Sequence, residues 1–307
     1  MFVGIDVAKD RLDVHVRPDG DAFAVAHDGQ GIEQLTKRLT DIGPRLVVLE
    51  ATGGFETVVA AGLAAAGLPI AVVNPRQIRD FARATARLAK TDALDAAVIA
   101  HFAEAVDPPA RPLADAQTRL LGELMARRRQ LIDMIVAESN RRRLLTARRT
   151  LKTVDRVLAT LKAQLEQIDG DIDIAIRGTP AWREAEDLLL SVPGIGHRIA
   201  RTLIAELPEL GHLGRRQIAS LTGVAPFNRD SGTLRGRRTI AGGRSVVRAA
   251  LYMSVLVSIR RKLPLAQTYH RLKACGKPAK IAIVACMRKL ITILNAILRD
   301  KKPWATA

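Results

Sequence analysis

Apolar positions in the first hundred residues alternate between strand-like runs and helix-like spacing. Three short apolar runs separated by polar turns, such as the turn at residues 8–11, predict a meander of three strands. The strands are predicted at residues 2–6, 12–16, 22–26, 45–50 and 70–73. The helices are predicted through Ile32, Leu35 and Leu39, over residues 55–66, and through Asp80 and Val106. This is the element order of an α/β ribonuclease-H-like fold, which we predict for residues 1–106.

A proline-rich break at residues 107–112 ends the first predicted domain. After it, apolar residues recur at spacings of three and four, which predicts two long helices, the first from about Gln117 to Arg149. The second helix carries a repeat typical of a coiled-coil seam, formed by Leu151, Val154, Leu158, Leu161, Leu165, Ile168 and Ile172. We therefore predict a coiled-coil hairpin over residues 107–180, which could equally be a dimer interface, and a mainly α-helical domain over residues 181–307.

Charge changes this picture because the net +17 is distributed unevenly. Residues 1–106 hold 11 Lys/Arg against 14 Asp/Glu, residues 107–180 hold 14 against 10, and residues 181–307 hold 23 against 7. An acidic first part joined to a strongly basic last part predicts that the chain binds a polyanion. One part would hold this ligand and the other would cut or organise it. Since only 3% of residues are aromatic, contacts with the phosphate backbone should outweigh base stacking.

Composition also bears on location. The chain contains no uninterrupted apolar run of about 18 residues or more, so we do not expect it to span a membrane. Residues 1–6 lack the basic flank and cleavage site of a signal peptide. Cys275 and Cys286 are too few for a disulfide framework or a four-ligand zinc site. A reducing cytoplasm fits these features.

Four acidic residues combine into a candidate metal site. Asp6 falls within the first strand, Glu50 ends a predicted parallel neighbour, and Asp92 and Asp95 share one face of the last helix. Because sites in such sheets gather at strand ends and Mg²⁺ prefers oxygen ligands, the quartet could hold two Mg²⁺ ions about 4 Å apart.

Each acid also has a simpler interpretation. Asp6 could be a strand-edge charge, Glu50 a helix-capping acid near Thr52, and Asp92 with Asp95 a solvated helix start. The other two acids of the first hairpin, Asp10 and Asp13, are interpreted as turn and surface residues.

Two segments suggest contacts with nucleic acid. The first long helix carries two arginine triplets, Arg127, Arg128, Arg129 and Arg141, Arg142, Arg143, followed by Arg148 and Arg149. A solvated face would explain one triplet, but two favour a nucleic-acid face. Residues 191–200 resemble a helix-hairpin-helix element, in which backbone N–H groups of a glycine turn meet a phosphate. The contact would involve Gly194, Gly196, His197 and Arg198, and an ordinary helical corner is the alternative.

A glycine- and arginine-rich loop supplies a candidate nucleophile. Ser231 lies between Asp230 and Gly232, and a hydroxyl there could attack a phosphodiester whose oxygens the nearby guanidiniums bind. The candidate phosphate-binding arginines of this loop are Arg229, Arg235, Arg237, Arg238 and Arg244. Ser231 could instead be a turn residue, and Ser245 is a rival nucleophile.

Together these segments resemble the DEDD transposases of insertion sequences, a family that includes the Piv-type invertases and the bridge-RNA-guided recombinases. The resemblance covers nearly the whole chain. It rests on Gly4-Ile5-Asp6-Val7-Ala8-Lys9, Leu49-Glu50-Ala51-Thr52-Gly53, Asn74-Pro75, Lys90-Thr91-Asp92-Ala93-Leu94-Asp95, Val192-Pro193-Gly194-Ile195-Gly196, and residues 223–243.

The resemblance implies a RuvC-like nuclease domain, a coiled-coil insertion and a C-terminal transposase domain whose serine attacks DNA. By position, Asp6, Glu50, Asp92 and Asp95 would bind the metal, Mg²⁺ or alternatively Mn²⁺, and Ser231 would be the nucleophile. It further implies double-stranded donor and target DNA, a structured guide RNA, a homodimer or homotetramer, and a prokaryotic nucleoid-associated location. Two rivals remain: a metal-dependent junction nuclease that uses water, and a non-catalytic nucleic-acid scaffold.

Overall fold

The computed structural model describes residues 1–86, 92–110, 115–228, 230–236 and 238–305, without the side chains of residues 92–94, 234 and 235. Its contacts divide the chain into two compact units, unit 1 (Met1–Ala114) and unit 2 (Asp115–Ala307). The finer division into residues 1–106, 107–180 and 181–307 stays a prediction.

Unit 1 is built on a five-stranded mixed sheet. Its strands are β1 (Phe2–Val7), β2 (Arg11–Arg17), β3 (Ala22–Ala26), β4 (Leu46–Glu50) and β5 (Ile70–Val73). The spatial order is β3-β2-β1-β4-β5, with β1, β2 and β3 antiparallel and β1, β4 and β5 parallel. The predicted strands are confirmed, and the arrangement is consistent with a ribonuclease-H-like domain.

Helices cover both faces of this sheet. They are α1 (Gly29–Ile42), α2 (Glu56–Ala65), α3 (Pro75–Ala84) and α4 (Asp92–Val106). Alternate side chains of the central strands enter two separate cores, because successive residues of a strand point to opposite faces. Val3, Ile5 and Leu49 pack with α1 and α2, whereas Val48 and Ala71 pack with α3 and α4.

Unit 2 is mainly helical, as the sequence predicts for the C-terminal part. Its helices are α5 (Ala116–Leu144), α6 (Arg148–Gly178), α7 (Pro180–Leu190), α8 (His197–Glu206), α9 (Arg215–Leu221), α10 (Ser245–Arg260), α11 (Pro264–Ala274) and α12 (Ala279–Asp300). The residues described between α9 and α10 form four two-residue strands: β6 (Pro226–Phe227), β7 (Asp230–Ser231), β8 (Leu234–Arg235) and β9 (Thr239–Ile240).

The helix α12 is long and apolar enough to cross a membrane, with a mean hydropathy of 2.0 in its most apolar window. Half of that window is buried, and Cys286, Leu290 and Leu294 are at the centre of the unit 2 core. The apolarity of α12 is therefore explained by its position in this core.

The helices α5 and α6 pack along each other as a hairpin. Two ion pairs link them: the Arg128 Nε to Asp169 Oδ1 and Arg142 Nε to Asp155 Oδ1 distances are both 2.5 Å. The hydrogen bond from Arg142 lowers the pKa of Asp155. The predicted continuation of the first helix to Arg149 is wrong.

The first helix instead ends at Leu144, and Arg148 and Arg149 begin α6. Along the expected seam Leu158 and Ile172 are buried, whereas Leu151, Val154, Leu161, Leu165 and Ile168 are partly exposed. A coiled-coil seam therefore stays a prediction.

Candidate active site and nucleic-acid interface

The carboxyl ends of β1 and β4 bring Asp6 and Glu50 together. The parallel register pairs Gly4 with Val48 and Ile5 with Leu49, so the next step places Asp6 beside Glu50. Neighbouring strands lie about 4.8 Å apart. Because Val48 packs with α4 and side chains alternate, both acids lie on the sheet face that α4 covers.

The first turn of α4 lies at the same edge. A Cβ on Gly4 would lie 2.5 Å from the Ala96 carbonyl oxygen and 2.2 Å from the Ala100 nitrogen, so α4 crosses β1 in backbone contact. At the far end of β1, Phe2 packs against the cluster that contains Phe102 of α4. The helix therefore runs opposite to β1.

An ion pair confirms this direction of α4. The Arg17 Nε of β2, opposite Phe2, donates to the Glu104 Oε2 of α4 over 2.7 Å. The opposite end of the helix, where Asp92 and Asp95 occur, therefore lies at the Asp6 edge of the sheet. Asp95 is partly exposed, and the side chain of Asp92 is outside the described part of the chain.

A fifth carboxylate, Asp13, lies next to this group. It pairs directly with Asp6 across β1 and β2, which puts both side chains on the same face. Asp13 is only 5% exposed, and its Oδ1 accepts hydrogen bonds from Arg11 Nη2 at 2.8 Å and Nε at 3.1 Å. Its interpretation as a surface residue is wrong, because α4 packs over β2 as well as β1.

The donor chemistry of this edge fits a hard divalent cation. Asp6, Glu50 and Asp95 offer carboxylate oxygens, the ligands that Mg²⁺ prefers, and each is partly exposed. Within the described residues, no three Asp, Glu, His or Cys side chains already form a group that could hold a metal ion. The assembled quartet, which also needs Asp92, stays a prediction.

The candidate nucleophile is presented on a short hairpin. Ser231 in β7 pairs with Leu234 in β8 across a two-residue turn, and its side chain is exposed. Its hydroxyl makes no hydrogen bond to any residue that the structure describes. The rival Ser245 is the exposed first residue of α10.

The base of the Ser231 loop is held by backbone contacts. A Cβ on Gly243 would lie 2.2 Å from the Gly223 nitrogen, so only two glycines allow the chain segments to cross this closely. Arg248 Nη1 donates to the Gly242 carbonyl over 2.6 Å, and Arg244 N–H donates to the Leu221 carbonyl over 3.0 Å. The loop that carries Ser231 is thus anchored at both ends.

Some of the predicted nucleic-acid-binding arginines already bind acidic side chains of the same unit, and others are exposed. Arg128 is 7% exposed and bound to Asp169, so its charge stabilises the α5–α6 hairpin. Arg244 donates to Glu209 Oε2 and Oε1 at 2.5 and 2.6 Å and to the Glu206 carbonyl at 2.9 Å.

The other predicted arginines differ in exposure. Exposed side chains belong to Arg127, Arg141, Arg142, Arg198 and Arg238. Arg142 and Arg141 also contact the acids Asp155 and Glu138. Arg229, Arg237 and the side chain of Arg235 lie outside the described residues.

The glycine turn between α7 and α8 packs against α10. Ser254 Oγ donates to the Gly194 carbonyl over 2.9 Å, and Val192 and Ile195 are buried in the core. Gly196 precedes α8 without a side-chain cap, and the first two residues of that helix, His197 and Arg198, are exposed. A phosphate contact at this turn stays a prediction.

An ion network lies beside the turn. Glu186 is 6% exposed, and its Oε1 accepts from Arg201 Nε at 2.7 Å and lies 3.0 Å from His197 Nδ1. Arg201 Nη2 also donates to Asp173 over 2.6 Å. Burial lowers the pKa of Arg201, but its hydrogen bonds and charge interactions with Glu186 and Asp173 raise that pKa by more, so the net change is upward. These acids neutralise the charge of Arg201, which lies one turn after Arg198 on α8.

Comparison with known protein families connects these features. The family model of the DEDD transposases of IS110 elements matches residues 3–168, which includes all four candidate ligands. The chain belongs to this transposase family. A second model, the transposase of the IS116/IS110/IS902 family, matches residues 186–271, which includes Ser231 and the glycine turn.

Relatives of this family member are known from several bacteria. The pilin gene-inverting protein of Moraxella bovis is 27% identical over 322 residues, covering 99% of this chain and 97% of that protein. Its Moraxella lacunata counterpart is also 27% identical, with the same coverage. The insertion element IS900 42 kDa protein of Mycobacterium paratuberculosis is 32% identical over 47% of this chain and 38% of that protein.

The sequence interpretation of this transposase-family chain missed Asp13 and Arg248. The sequence does contain a signal for Asp13, because it lies between Leu12 and Val14 in an apolar strand. An acid in such a position is often buried, and a buried acid needs a hydrogen-bonding partner. Arg248 has no such signal, since its contact with the Gly242 carbonyl joins α10 to the Ser231 loop.

Proposed function

We propose that this chain is the transposase or recombinase of an insertion sequence, and that it cleaves, exchanges and rejoins DNA strands through a serine–phosphate intermediate. Asp6, Glu50, Asp92 and Asp95 would hold Mg²⁺, and Ser231 would be the nucleophile. The observation that carries this proposal is the convergence of Asp6, Glu50 and the first turn of α4 at one sheet edge.

The serine step conserves the energy of the broken bond. Ser231 Oγ attacks phosphorus, so an Oγ–P bond forms while the P–O bond to the departing DNA hydroxyl breaks. The serine gives up its proton and the departing oxygen gains one. Attack on the phosphoserine by the hydroxyl of another strand then restores Ser231 and completes the exchange. No nucleotide hydrolysis is needed, which agrees with the lack of a Gly-x-x-x-x-Gly-Lys-Ser/Thr motif.

The acidic edge would position the reacting phosphate. When bound there, a divalent ion would supply charge neutralisation at the phosphate oxygens and at the leaving oxygen. Asp6 and Glu50 would fix one side of this site from the rigid sheet, and Asp92 and Asp95 the other from α4. Gly4 sets the spacing between the two sides, because it lets α4 approach β1.

Positive charge would hold the DNA around the serine loop. Arg238 is exposed in this loop, and Arg229, Arg235 and Arg237 belong to the same segment. Arg244 would instead support the loop through Glu209, because its guanidinium is already bound. The 23 Lys/Arg against 7 Asp/Glu of residues 181–307 support binding of double-stranded donor and target DNA.

We further propose a structured guide RNA and a homodimer or homotetramer, as the family resemblance implies. The hairpin of α5 and α6 offers an association surface, since Val136, Leu144 and Val157 expose 52, 84 and 46% of their area. The pilin gene-inverting relatives support inversion as the biological outcome, and the transposase family models support transposition.

A Glu50→Gln variant tests the acidic site. Strand cleavage should be lost and Mn²⁺ binding, measured by electron paramagnetic resonance, should weaken, while DNA binding persists. Wild-type cleavage by this variant would remove Glu50 from the mechanism. A junction nuclease that uses water predicts that Ser231→Ala cleaves normally. A non-catalytic scaffold predicts that the native chain shows no strand transfer.

A further inference from the structure

An exposed phenylalanine follows the candidate ligand Glu50. Phe55 immediately precedes α2 in the loop after β4 and exposes 49% of its surface. The chain has only 6 phenylalanines, and 3% of its residues are aromatic. Single exposed apolar side chains are common on protein surfaces, so the informative feature of Phe55 is its position, five residues after the candidate ligand Glu50.

The loop holds Phe55 in this exposed position. Glu56 Oε2 accepts hydrogen bonds from the backbone N–H groups of Thr52 at 3.0 Å and Gly54 at 2.9 Å. Gly54 has a φ of 114°, a conformation that favours glycine. These constraints fix the path of the backbone between Glu50 and α2, and with it the position from which the Phe55 side chain projects.

His27 supports the ring from a neighbouring loop. The His27 and Phe55 rings are nearly perpendicular, at 72°, with centroids 6.4 Å apart. His27 Nδ1 lies 2.7 Å from the Ala8 carbonyl, and its backbone N–H donates to the Asp10 carbonyl over 3.1 Å. His27 is thereby bound to the turn that follows Asp6, so the aromatic pair lies at the sheet edge that carries the acids.

Two exposed basic side chains also lie at this edge. Lys9 is exposed in the turn after β1, and Arg76 is exposed at the start of α3, directly after β5. Proteins bind single-stranded nucleic acid by combining aromatic rings, on which bases stack, with basic side chains that contact the backbone. Duplex binding differs, because phosphate contacts suffice for it.

We propose that Phe55 is a stacking platform for an unpaired nucleobase next to the phosphate that the acidic edge handles, with Lys9 and Arg76 binding the adjacent backbone. This inference rests on the proposed function and adds to it that the strand must be locally unpaired at this site. The perpendicular contact with His27 leaves a face of the Phe55 ring open for the base.

A tryptophan substitution makes stacking visible without a catalytic assay. In Phe55→Trp, oligothymidylate should quench the added indole fluorescence saturably and protect it from iodide, whereas a blunt duplex of equal length should do so less. The matched control is Val106→Trp, because Val106 is 50% exposed in the same unit and ends α4 away from the acids. Its fluorescence should not respond to either DNA.

A truncation measures the contribution of the ring. Phe55→Ala should weaken binding of oligothymidylate by about tenfold, the size expected for one stacked base, and leave duplex binding unchanged. Phe55→Tyr should retain the affinity.

Three outcomes overturn the inference. The first is an equal loss of affinity of Phe55→Ala for single-stranded and duplex DNA. The second is unquenched indole fluorescence of Phe55→Trp in a DNA complex whose formation anisotropy proves. The third is quenching of that fluorescence by raising the protein concentration alone, which would mean that a second copy of the chain covers the ring. Failure of the proposed function is separate, because it would appear as the lack of a covalent DNA adduct at Ser231 while stacking persists.

Discussion

Gly4→Ala tests the packing that positions the candidate acids. The added Cβ would lie 2.2 Å from the Ala100 nitrogen, 2.5 Å from the Ala96 carbonyl oxygen and 2.8 Å from the Ala100 Cα. All three atoms belong to the backbone of α4, so no side-chain rotation relieves the contact. Ordinary contact begins at 3.4 Å, so α4 must move away from β1 by about 1 Å.

Two consequences follow from this displacement. Overpacking a filled site costs about 1–3 kcal/mol, which should lower the urea concentration at which unit 1 unfolds. A shift of about 1 Å in a catalytic group costs about 10²-fold in rate, so DNA cleavage should fall by that order. Asp95 moves with the helix while Asp6 and Glu50 stay on the sheet, which should also weaken Mn²⁺ binding.

The assay compares Gly4→Ala with Gly29→Ala. Gly29 is the first residue of α1 and a Cβ there meets nothing within 4 Å, so this control should keep wild-type stability and cleavage. Circular dichroism establishes that both variants fold, and urea unfolding and cleavage rates are then measured together. Wild-type unfolding and wild-type cleavage by Gly4→Ala would refute the close crossing of α4 over β1.

Three other results are expected. Arg244→Ala should lower the free energy of unfolding in urea by about 1–2 kcal/mol, because two hydrogen bonds to the Glu209 carboxylate are lost. Arg238→Ala should leave stability unchanged and weaken DNA binding in a salt-dependent manner. Equal effects of the two variants would contradict the distinction between acid-bound and exposed arginines. Asp13→Asn should lower stability by about 1 kcal/mol, because the buried acceptor of the Arg11 hydrogen bonds loses its charge, and an unchanged unfolding curve would contradict this role. A mixture of Asp92→Asn and Ser231→Ala proteins, each inactive alone, should recover recombination if an oligomer combines acids and serine from different chains, and demonstrably mixed oligomers without activity would contradict this.

The sheet of unit 1 is predictable because its pattern is local. Alternating apolar residues and the continuous run of β4 determine which side chains are buried, so the positions of Asp6 and Glu50 follow from strand order and alternation. Asp13 was misjudged because its burial depends on α4, more than seventy residues later in the chain. Local alternation does not reveal which face a distant helix covers.

The arginines illustrate the same limit in unit 2. Arg127, Arg128 and Arg129 are adjacent in sequence, but the register between α5 and α6 buries Arg128 against Asp169 and leaves Arg127 exposed. The helix end at Leu144 was also missed, because the turn that follows contains neither glycine nor proline. Both features are determined by long-range packing.

The most direct test of the account is isolation of the covalent intermediate. Reactions with labelled DNA and Mg²⁺ are stopped with denaturant, and the adduct is digested and mapped by mass spectrometry. We expect DNA attached to the peptide that contains Ser231, an equal yield of adduct from Ser245→Ala, and no adduct from Ser231→Ala. An adduct of unchanged yield from Ser231→Ala, or cleaved DNA with no adduct from the wild-type chain, would contradict this expectation.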